Sequence, residues 1–331
     1  MSFVAIALLS VFFICSQSQS TETPNAIVSQ DGFGDFRTIA EAIQAAPDHS
    51  IERYYIKIKQ GRYREYIQIA KKKTNKVLIG EGMDTTIIVG NRSFADGNKT
   101  FDTATVGMDK REWLHSARYQ PLGMMLNQES FREAAMALFY RCRFEGYQDT
   151  LYTKRYRQFY RDFEIYGTID FICGNVTALF QNCLIEARIP LDKQYNTSTA
   201  QKRNLKDDQT GLVLQNCSIK AIRDFEKMDN ITTYLGRPWG VFSWTVVMES
   251  YINHLIDPRG WTEWIDTNKS VVRRPFYLEY KYRGPGAVTK GRVTWENVTT
   301  DQSIASNFTV RHFINGDEWI SVDIPHYLDL S

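Results

Sequence analysis

Apolar residues recur along the middle of this chain in short β-type runs, each closed by polar turn residues, and one run returns in recognisable form. Phe139-Tyr140-Arg141-Cys142 is echoed by Phe159-Tyr160-Arg161-Asp162, then Phe180-Gln181-Asn182-Cys183, then Leu214-Gln215-Asn216-Cys217. The steps are 20, 21 and 34 residues, and Val247-Met248-Glu249-Ser250 reads as a fifth copy 33 further on. Periods of about 20 residues and more indicate a solenoid, and strand-length units separated by turns indicate a parallel β-helix. One repeat is then one rung, with neighbouring strands about 4.8 Å apart.

Before the rungs, Phe36 to Ala46 reads as an amphipathic helix: Ile39, Ala40, Ile43 and Ala46 share a face, and Pro47 ends it. Such a helix caps the first coil and protects its edge. Tyr54 to Ile58 and Val77 to Ile79 read as strands. Rungs continue to about residue 255. Gln194 to Thr210 is long and polar and reads as a surface loop or hairpin. Strand-like runs resume after Gly260-Trp261, and the C-terminal tail is expected to fold back on the coil. No linker divides the chain.

Within this periodicity two aspartates fall one repeat apart. Asp149 lies seven residues after Cys142, and Asp170 lies eight after Asp162. Adjacent rungs would project both carboxylates at nearly the same place, which makes them a candidate active site.

Composition changes this picture little. Apolar residues make up 43% of the 331 residues and aromatics 13%, as in a globular protein; the formal charge of +2 provides no dense basic patch for nucleic acid. Lys71-Lys72-Lys73 reads as a solvated strand end. Phe3 to Cys15 is almost unbroken apolar sequence, too short for a membrane span, and Ser16, Ser18 and Ser20 follow. Residues 1–20 therefore read as a secretory signal and 21–331 as one secreted, soluble domain. Nine glycosylation sequons agree with that compartment: Asn91, Asn98, Asn175, Asn196, Asn216, Asn230, Asn268, Asn297 and Asn307.

Cys142, Cys173, Cys183 and Cys217 have no metal-ligand spacing, so no metal is expected. Cys183 and Cys217 hold the same place in consecutive repeats, as either an inter-rung disulfide or two buried thiols. There is no G-x-S-x-G elbow, and the five histidines are scattered, which sets aside a serine esterase.

Several further motifs occur in a fixed order: Gly61-Arg62-Tyr63-Arg64-Glu65, Gly146-Tyr147-Gln148-Asp149-Thr150-Leu151-Tyr152, and Tyr166-Gly167-Thr168-Ile169-Asp170-Phe171-Ile172-Cys173-Gly174-Asn175. They are followed by Tyr234-Leu235-Gly236-Arg237-Pro238-Trp239, Asp257-Pro258-Arg259-Gly260-Trp261, and Gly284-Pro285-Gly286 before Arg292-Val293-Thr294-Trp295. In that order, over most of residues 26–328, they resemble the plant pectin methylesterases (pectinesterases), carbohydrate esterases on a right-handed parallel β-helix. The sequence has room for a signal and a catalytic domain but not for the inhibitor-like pro-region of many plant members.

The resemblance implies hydrolysis of galacturonate methyl esters in pectin, in cell-wall modification, with no cofactor. It implies Asp170 as nucleophile, Asp149 as acid and base, and Gln148 as an oxyanion donor. Arg237, Trp239 and Thr100 would contact substrate or orient the site. Tyr63 and Glu65 read as structural. The expected partners are methyl-esterified homogalacturonan and proteinaceous pectinesterase inhibitors, with a monomer in solution and no nucleic acid or membrane.

The chain departs from the family between about Met108 and Ala137. A member would show two strands there and a glutamine serving as a second oxyanion donor; that position falls near Leu126, with Gln128 the only nearby substitute. Cys173 stands where the family usually has an aromatic, a change expected to affect packing. The alternative reading is accordingly a catalytically impaired pectin-binding wall protein, or the product of a degraded or mis-framed gene. A calcium-dependent lyase would need acidic clusters that the sequence does not show.

Overall fold

A computed structural model of the chain describes residues 23–89 apart from 51, 53, 66, 71, 74–75 and 82–84. It describes 136–331 apart from 142, 225–230, 265–273, 321 and 323, and also the strands 10–15, 106–108 and 125–126. Thr100 and Gln128 lie outside the described residues, as do Asn91, Asn98, Asn230 and Asn268.

The chain winds as the expected parallel β-helix. One long sheet takes, in spatial order, Ala26–Val28, Tyr54–Ile58, Lys76–Gly80, Ser10–Cys15, Met136–Tyr140, Leu151–Arg161, Ile169–Gln181, Gly211–Gln215, Trp244–Met248, Phe276–Tyr280 and Asn297–Thr299. Neighbours along it are parallel throughout. A second face stacks Arg143–Glu145, Glu164–Gly167, Leu184–Ala187, Ser218–Ala221 and Tyr251–Ile252. A third is formed where the long strands turn a corner: Ile169–Gln181 pairs with Asn196–Gln201 near its start and with Gly211–Gln215 near its end.

The repeat is real, but its second copy stands one residue out of phase with the sequence alignment. Phe139 pairs with Tyr160, not Phe159, and Tyr160 pairs with Phe180. A one-residue slip sends a strand side chain to the other face. Tyr160 therefore enters the coil, where its ring stacks between Phe139 at 4.6 Å and Phe180 at 4.3 Å. Phe159 faces outward into a separate apolar cluster. The true marker of the period is a left-handed turn residue after each strand: Arg141, Asp162, Asn182, Asn216, Glu249 and Lys281, all with φ between 43° and 57°. Counted from it, Asp149 and Asp170 each lie eight residues on, so the two aspartates are truly equivalent.

The capping helix spans Ile39–Ala45 and opens with a reciprocal Thr38–Glu41 capping box. Glu65 accepts the backbone N–H groups of Ile39 and Ala40, and buried Tyr63 donates to the Lys59 carbonyl at 2.9 Å. Both residues of that motif are thus structural. The lysine run is not wholly solvated, since Lys73 is buried, donates to the carbonyls of Gln44 and Ala46, and pairs with Asp48 at 2.9 Å. A cation there satisfies the orphan carbonyls of the helix end.

Two other expectations change. The polar stretch after Gln194 contains a strand, Asn196–Gln201, whose six residues are all buried. Its two threonine hydroxyls replace apolar contacts with hydrogen bonds: Thr197 Oγ1 donates to Asp170 Oδ1 at 2.6 Å and Thr199 Oγ1 to the Leu235 carbonyl at 2.9 Å. Cys183 and Cys217 are buried free thiols, not a bridge. Their Sγ atoms face the carbonyls of Tyr160 and Phe180 at 3.4 and 3.3 Å.

In the atypical segment, Val106–Met108 and Met125–Leu126 pair with each other. The place between Lys76–Gly80 and Met136–Tyr140 in the long sheet is taken by Ser10–Cys15, from the apolar leader. Two short helices, Gln302–Ser306 and Val310–Ile314, pack on the outer face of the long sheet.

Candidate active site

Asp149 and Asp170 sit at the corner where the second face gives way to the long strands. Both adopt the left-handed conformation, with φ of 53° and 52°. Aspartate tolerates that region better than most residues, and each turn is locked by the next rung. The Asp149 N–H donates to the Ile169 carbonyl at 2.9 Å, and the Asp170 N–H donates to Thr197 Oγ1 at 2.8 Å. Thr150 Oγ1 ties the same corner to the Tyr147 and Tyr166 carbonyls. Gly174, with φ of 124°, lets two rungs approach so closely that a Cβ there would lie 1.7 Å from the Thr153 carbonyl oxygen.

Asp170 is buried and held on both oxygens. Arg237 reaches it with two prongs, Nε to Oδ1 at 2.9 Å and Nη2 to Oδ2 at 2.7 Å. Thr197 Oγ1 donates to Oδ1 at 2.6 Å. Arg237 is itself positioned, donating through Nη1 to the Tyr195 hydroxyl at 3.0 Å and lying 4.2 Å from the Trp264 ring centroid. Paired charge-assisted bonds of this kind fix a carboxylate's direction as well as its charge.

Asp149 has none of this support. Among the described residues its side-chain hydrogen-bond partner is the Cys173 thiol, 3.9 Å from Oδ1. Burial, followed by the neighbouring Asp170 charge, pushes its carboxyl well above the usual carboxylate range; Arg237 and the thiol oppose the shift. One acid gripped by a cation on the rung next to another whose carboxyl is raised is an arrangement that could supply a nucleophile and a proton donor.

Gln148 precedes Asp149 at the rim, half-buried, and its amide makes no hydrogen bond to another described residue. Trp239 is half-exposed, lies 5.8 Å from both Trp264 and Tyr152, and is nearly parallel to Trp264 at 13°. Together they present flat apolar surface suited to a sugar ring. The structure thus brings together Gln148, Asp149, Asp170, Arg237 and Trp239 of the sequence-derived set.

Reasoning from sequence missed Thr197, Tyr195 and Trp264. Trp264 had a signal, three residues after Trp261 in Trp261-Thr262-Glu263-Trp264. Thr197 had none, since its polar strand reads as loop. Trp261 itself is core: it is fully buried, and its Nε1 donates to Glu279 Oε1 at 2.9 Å.

Comparison with known proteins agrees with this geometry. The Pectinesterase family model matches residues 25–317. A pectinesterase/pectinesterase inhibitor from Prunus persica is 44% identical over 306 residues, covering 89% of this chain and 58% of its own length. Pectinesterase 3 of Phaseolus vulgaris is 40% identical over 320 residues, covering 93% and 53%. This chain thus spans about half the length of the curated relatives it matches. Among solved structures, the pectin methylesterase from carrot superposes with a TM-score of 0.83 at 38% identity, covering 95% of this chain and all of that one. The pectin methylesterase of Erwinia chrysanthemi gives 0.67 at 25% identity, covering 94% of this chain and 100% of its own.

Proposed function

The chain belongs to the pectinesterase family, and we propose that it is a pectin methylesterase, hydrolysing the methyl esters of galacturonate units in homogalacturonan to free carboxylates and methanol. The observation that carries this reading is the two-pronged Arg237–Asp170 pair beside an Asp149 whose carboxyl burial raises well above the usual range.

An Asp170 oxygen attacks the ester carbonyl, and the charge that develops on the carbonyl oxygen is met by the Gln148 amide. Collapse breaks the bond to the methoxy group, which takes the Asp149 proton and leaves as methanol. Asp170 is then acylated as an anhydride and Asp149 is a carboxylate. Asp149 removes a proton from water, whose oxygen attacks the same carbonyl and releases Asp170. The first step needs an acid at Asp149 and the second a base, so one group serves both. Arg237 keeps the Asp170 oxygens aimed throughout, and Trp239 with Trp264 stacks a sugar ring.

The apolar run at 3–15 and the sequons support secretion to the cell wall. Asn297 and Asn307 are exposed, whereas Asn196 is fully buried with its amide donating to the Arg188 carbonyl. Among the described residues no helix is long and apolar enough to cross a membrane.

One observation favours a second reading, a pectin-binding protein with impaired catalysis: a place in the long sheet beside the site's first rungs is filled by Ser10–Cys15, not by the 108–137 segment. Methanol release from highly methylated pectin separates the two. Release that falls by about 10³-fold or more in Asp170→Asn supports the esterase. A folded protein that binds pectin and releases no methanol supports the second reading.

A further inference from the structure

The Gly284-Pro285-Gly286 motif has no work in the mechanism above. It follows Arg283, which lines a cavity of about 480 Å³ together with Asn182, Asn216, Ser218 and Tyr251. The cavity lies at the turn between the long sheet and the second face, whereas Asp149 and Asp170 sit at the opposite end of the second face. Leu184, Ser218, Tyr251 and Arg283 each stand two residues after the left-handed turn residue of successive rungs, and they pair in that order. The cavity therefore runs along the coil, past side chains that repeat about every 4.8 Å.

Arg283 is held in place. Its backbone N–H donates to the Ser250 carbonyl and its own carbonyl accepts from Ile252, both at 2.8 Å. Its guanidinium donates through Nη1 to the Glu249 carbonyl at 2.6 Å and through Nη2 to Asn216 Oδ1 at 3.4 Å. Both acceptors are neutral, and among the described residues no carboxylate pairs with this cation. Its remaining N–H groups, and the hydroxyls of Ser218 and Tyr251, likewise have no partner among the described residues. Gly284, at φ 102°, lets the Tyr251 ring lie against the chain: a Cβ there would fall 2.9 Å from Tyr251 Cε2. At the other end Asn182 donates to Asp162 Oδ1 at 2.5 Å, which leaves its amide oxygen as an acceptor and sets a negative charge behind it.

A fixed guanidinium with unused N–H groups is a site for a carboxylate. Amides and hydroxyls strung along the coil suit sugar hydroxyls, and the volume is many times the roughly 30 Å³ of a water molecule. Asp162 would repel an acid, so the charge of the ligand belongs at the Arg283 end. A uronate sugar has both features. Resting on the pectin reading above, we propose that this cavity is a second, non-catalytic carbohydrate site that binds a free galacturonate unit of homogalacturonan, with its carboxylate on Arg283 and its hydroxyls along Asn182, Ser218 and Tyr251. Such a site anchors the protein to the polymer without occupying the catalytic cleft.

The test is calorimetric titration of the full chain with a short, fully de-esterified galacturonate oligomer, which offers no ester to hydrolyse. Wild type is expected to bind it at two sites, the catalytic cleft and the cavity. Arg283→Gln should weaken the cavity site by about tenfold or more, and Tyr251→Phe by less, while Trp239→Ala should weaken only the cleft. Binding at the cavity should fall as salt rises. The fully methyl-esterified oligomer, titrated into Asp170→Asn so that it is not consumed, should leave the cavity empty. Methanol release from a short esterified oligomer should be the same in Arg283→Gln as in wild type. A single site that Trp239→Ala removes would overturn the proposal, as would two sites unchanged in Arg283→Gln and Tyr251→Phe. If Arg283→Gln does not fold, Tyr251→Phe and Ser218→Ala decide by the same comparison. A glycan found on Asn216 by peptide mass would fill the cavity and also overturn it. Absence of methanol release by wild type would defeat the esterase reading alone, and the titration would still decide this one.

Discussion

Asp149 and Asp170 occupy the same left-handed turn of successive rungs, at φ 53° and 52°, yet only Asp170 is gripped by a cation. The solenoid repeats the backbone and not the surroundings. Arg237 and Thr197 both arrive from later rungs and donate to Asp170, not to Asp149. Two chemically identical side chains thereby acquire different surroundings from position, and we propose different tasks.

Asp149 should impose a pH dependence of defined sign. Its carboxyl, raised by burial and then by Asp170, must be protonated to release methanol. Turnover should therefore fall on the alkaline side as Asp149 ionises. The same shift costs stability: the folded chain keeps the proton while the unfolded chain gives it up near 3.8. Stability from this group is full below that value and is lost as pH rises through the folded value. Asp149→Asn removes both effects. It should lower kcat by about 10²–10⁴-fold and flatten the fall of Tm with pH. A variant whose Tm tracks pH as steeply as wild type would contradict the assignment.

Arg237 and Asp170 are both buried, with side-chain exposures of 9% and 5%. Arg237→Ala would strand a buried carboxylate, at a cost of about 3–5 kcal/mol. Arg237→Lys keeps the charge but not the fork, so it should recover part of the stability and little of the rate. Urea midpoints with parallel methanol assays check this. Equal stability of Arg237→Ala and wild type would mean the pair contributes nothing net.

The coil and the aspartates were legible because turn and strand residues recur with a period that sterics impose on every rung. Phase was not, since Phe159-Tyr160 offers two aromatics and only packing decides which enters. The ring stack of Phe139, Tyr160 and Phe180 decides for Tyr160. Asn196–Gln201 was illegible for a different reason: its buried threonines are held by hydroxyl hydrogen bonds, and hydrophobic pattern carries no trace of them. Thr197 was lost with it. Arg237 was found only through its motif, because 67 residues separate it from Asp170.

Beyond the site, Glu279 and Glu296 make a second acid pair. Glu279 is fully buried, bonded to Trp261 Nε1 and paired with Arg292 at 3.0 Å. Burial, then the neighbouring Glu279 carboxylate, push Glu296 up to about 9. The folded chain thus holds a proton that the unfolded chain releases near 4.5. This group's contribution to stability should decline from about pH 4.5 to about 9 and level off above. Glu296→Gln supplies a neutral side chain of the same shape and should make Tm less sensitive to pH across that window. An unchanged slope would show that Glu296 is ionised in the folded chain.

The C-terminal tail is held by a ladder of amides that runs across rungs. Gln181 Nε2 donates to Gln215 Oε1 and to the Tyr327 carbonyl, at 3.0 and 2.9 Å. Gln215 Nε2 donates to Glu249 Oε2 and to the Asp329 carbonyl, both at 3.0 Å. The Ser331 N–H closes the series on Glu249 Oε1 at 2.8 Å. All three ladder side chains are buried, and Leu328 and Leu330 pack on the outer cluster beside them. Ending the chain at residue 326 removes these backbone partners together. Each buried group left unpaired costs about 1–3 kcal/mol, so the urea midpoint should drop sharply. Gln215→Leu breaks the ladder at its centre and should lower it by a smaller amount. The Asp170 end of the Ile169–Gln181 strand is anchored separately by Thr197 and Arg237, so methanol release at low temperature should persist in both variants. A truncated chain with the wild-type midpoint would show that water replaces the tail without loss.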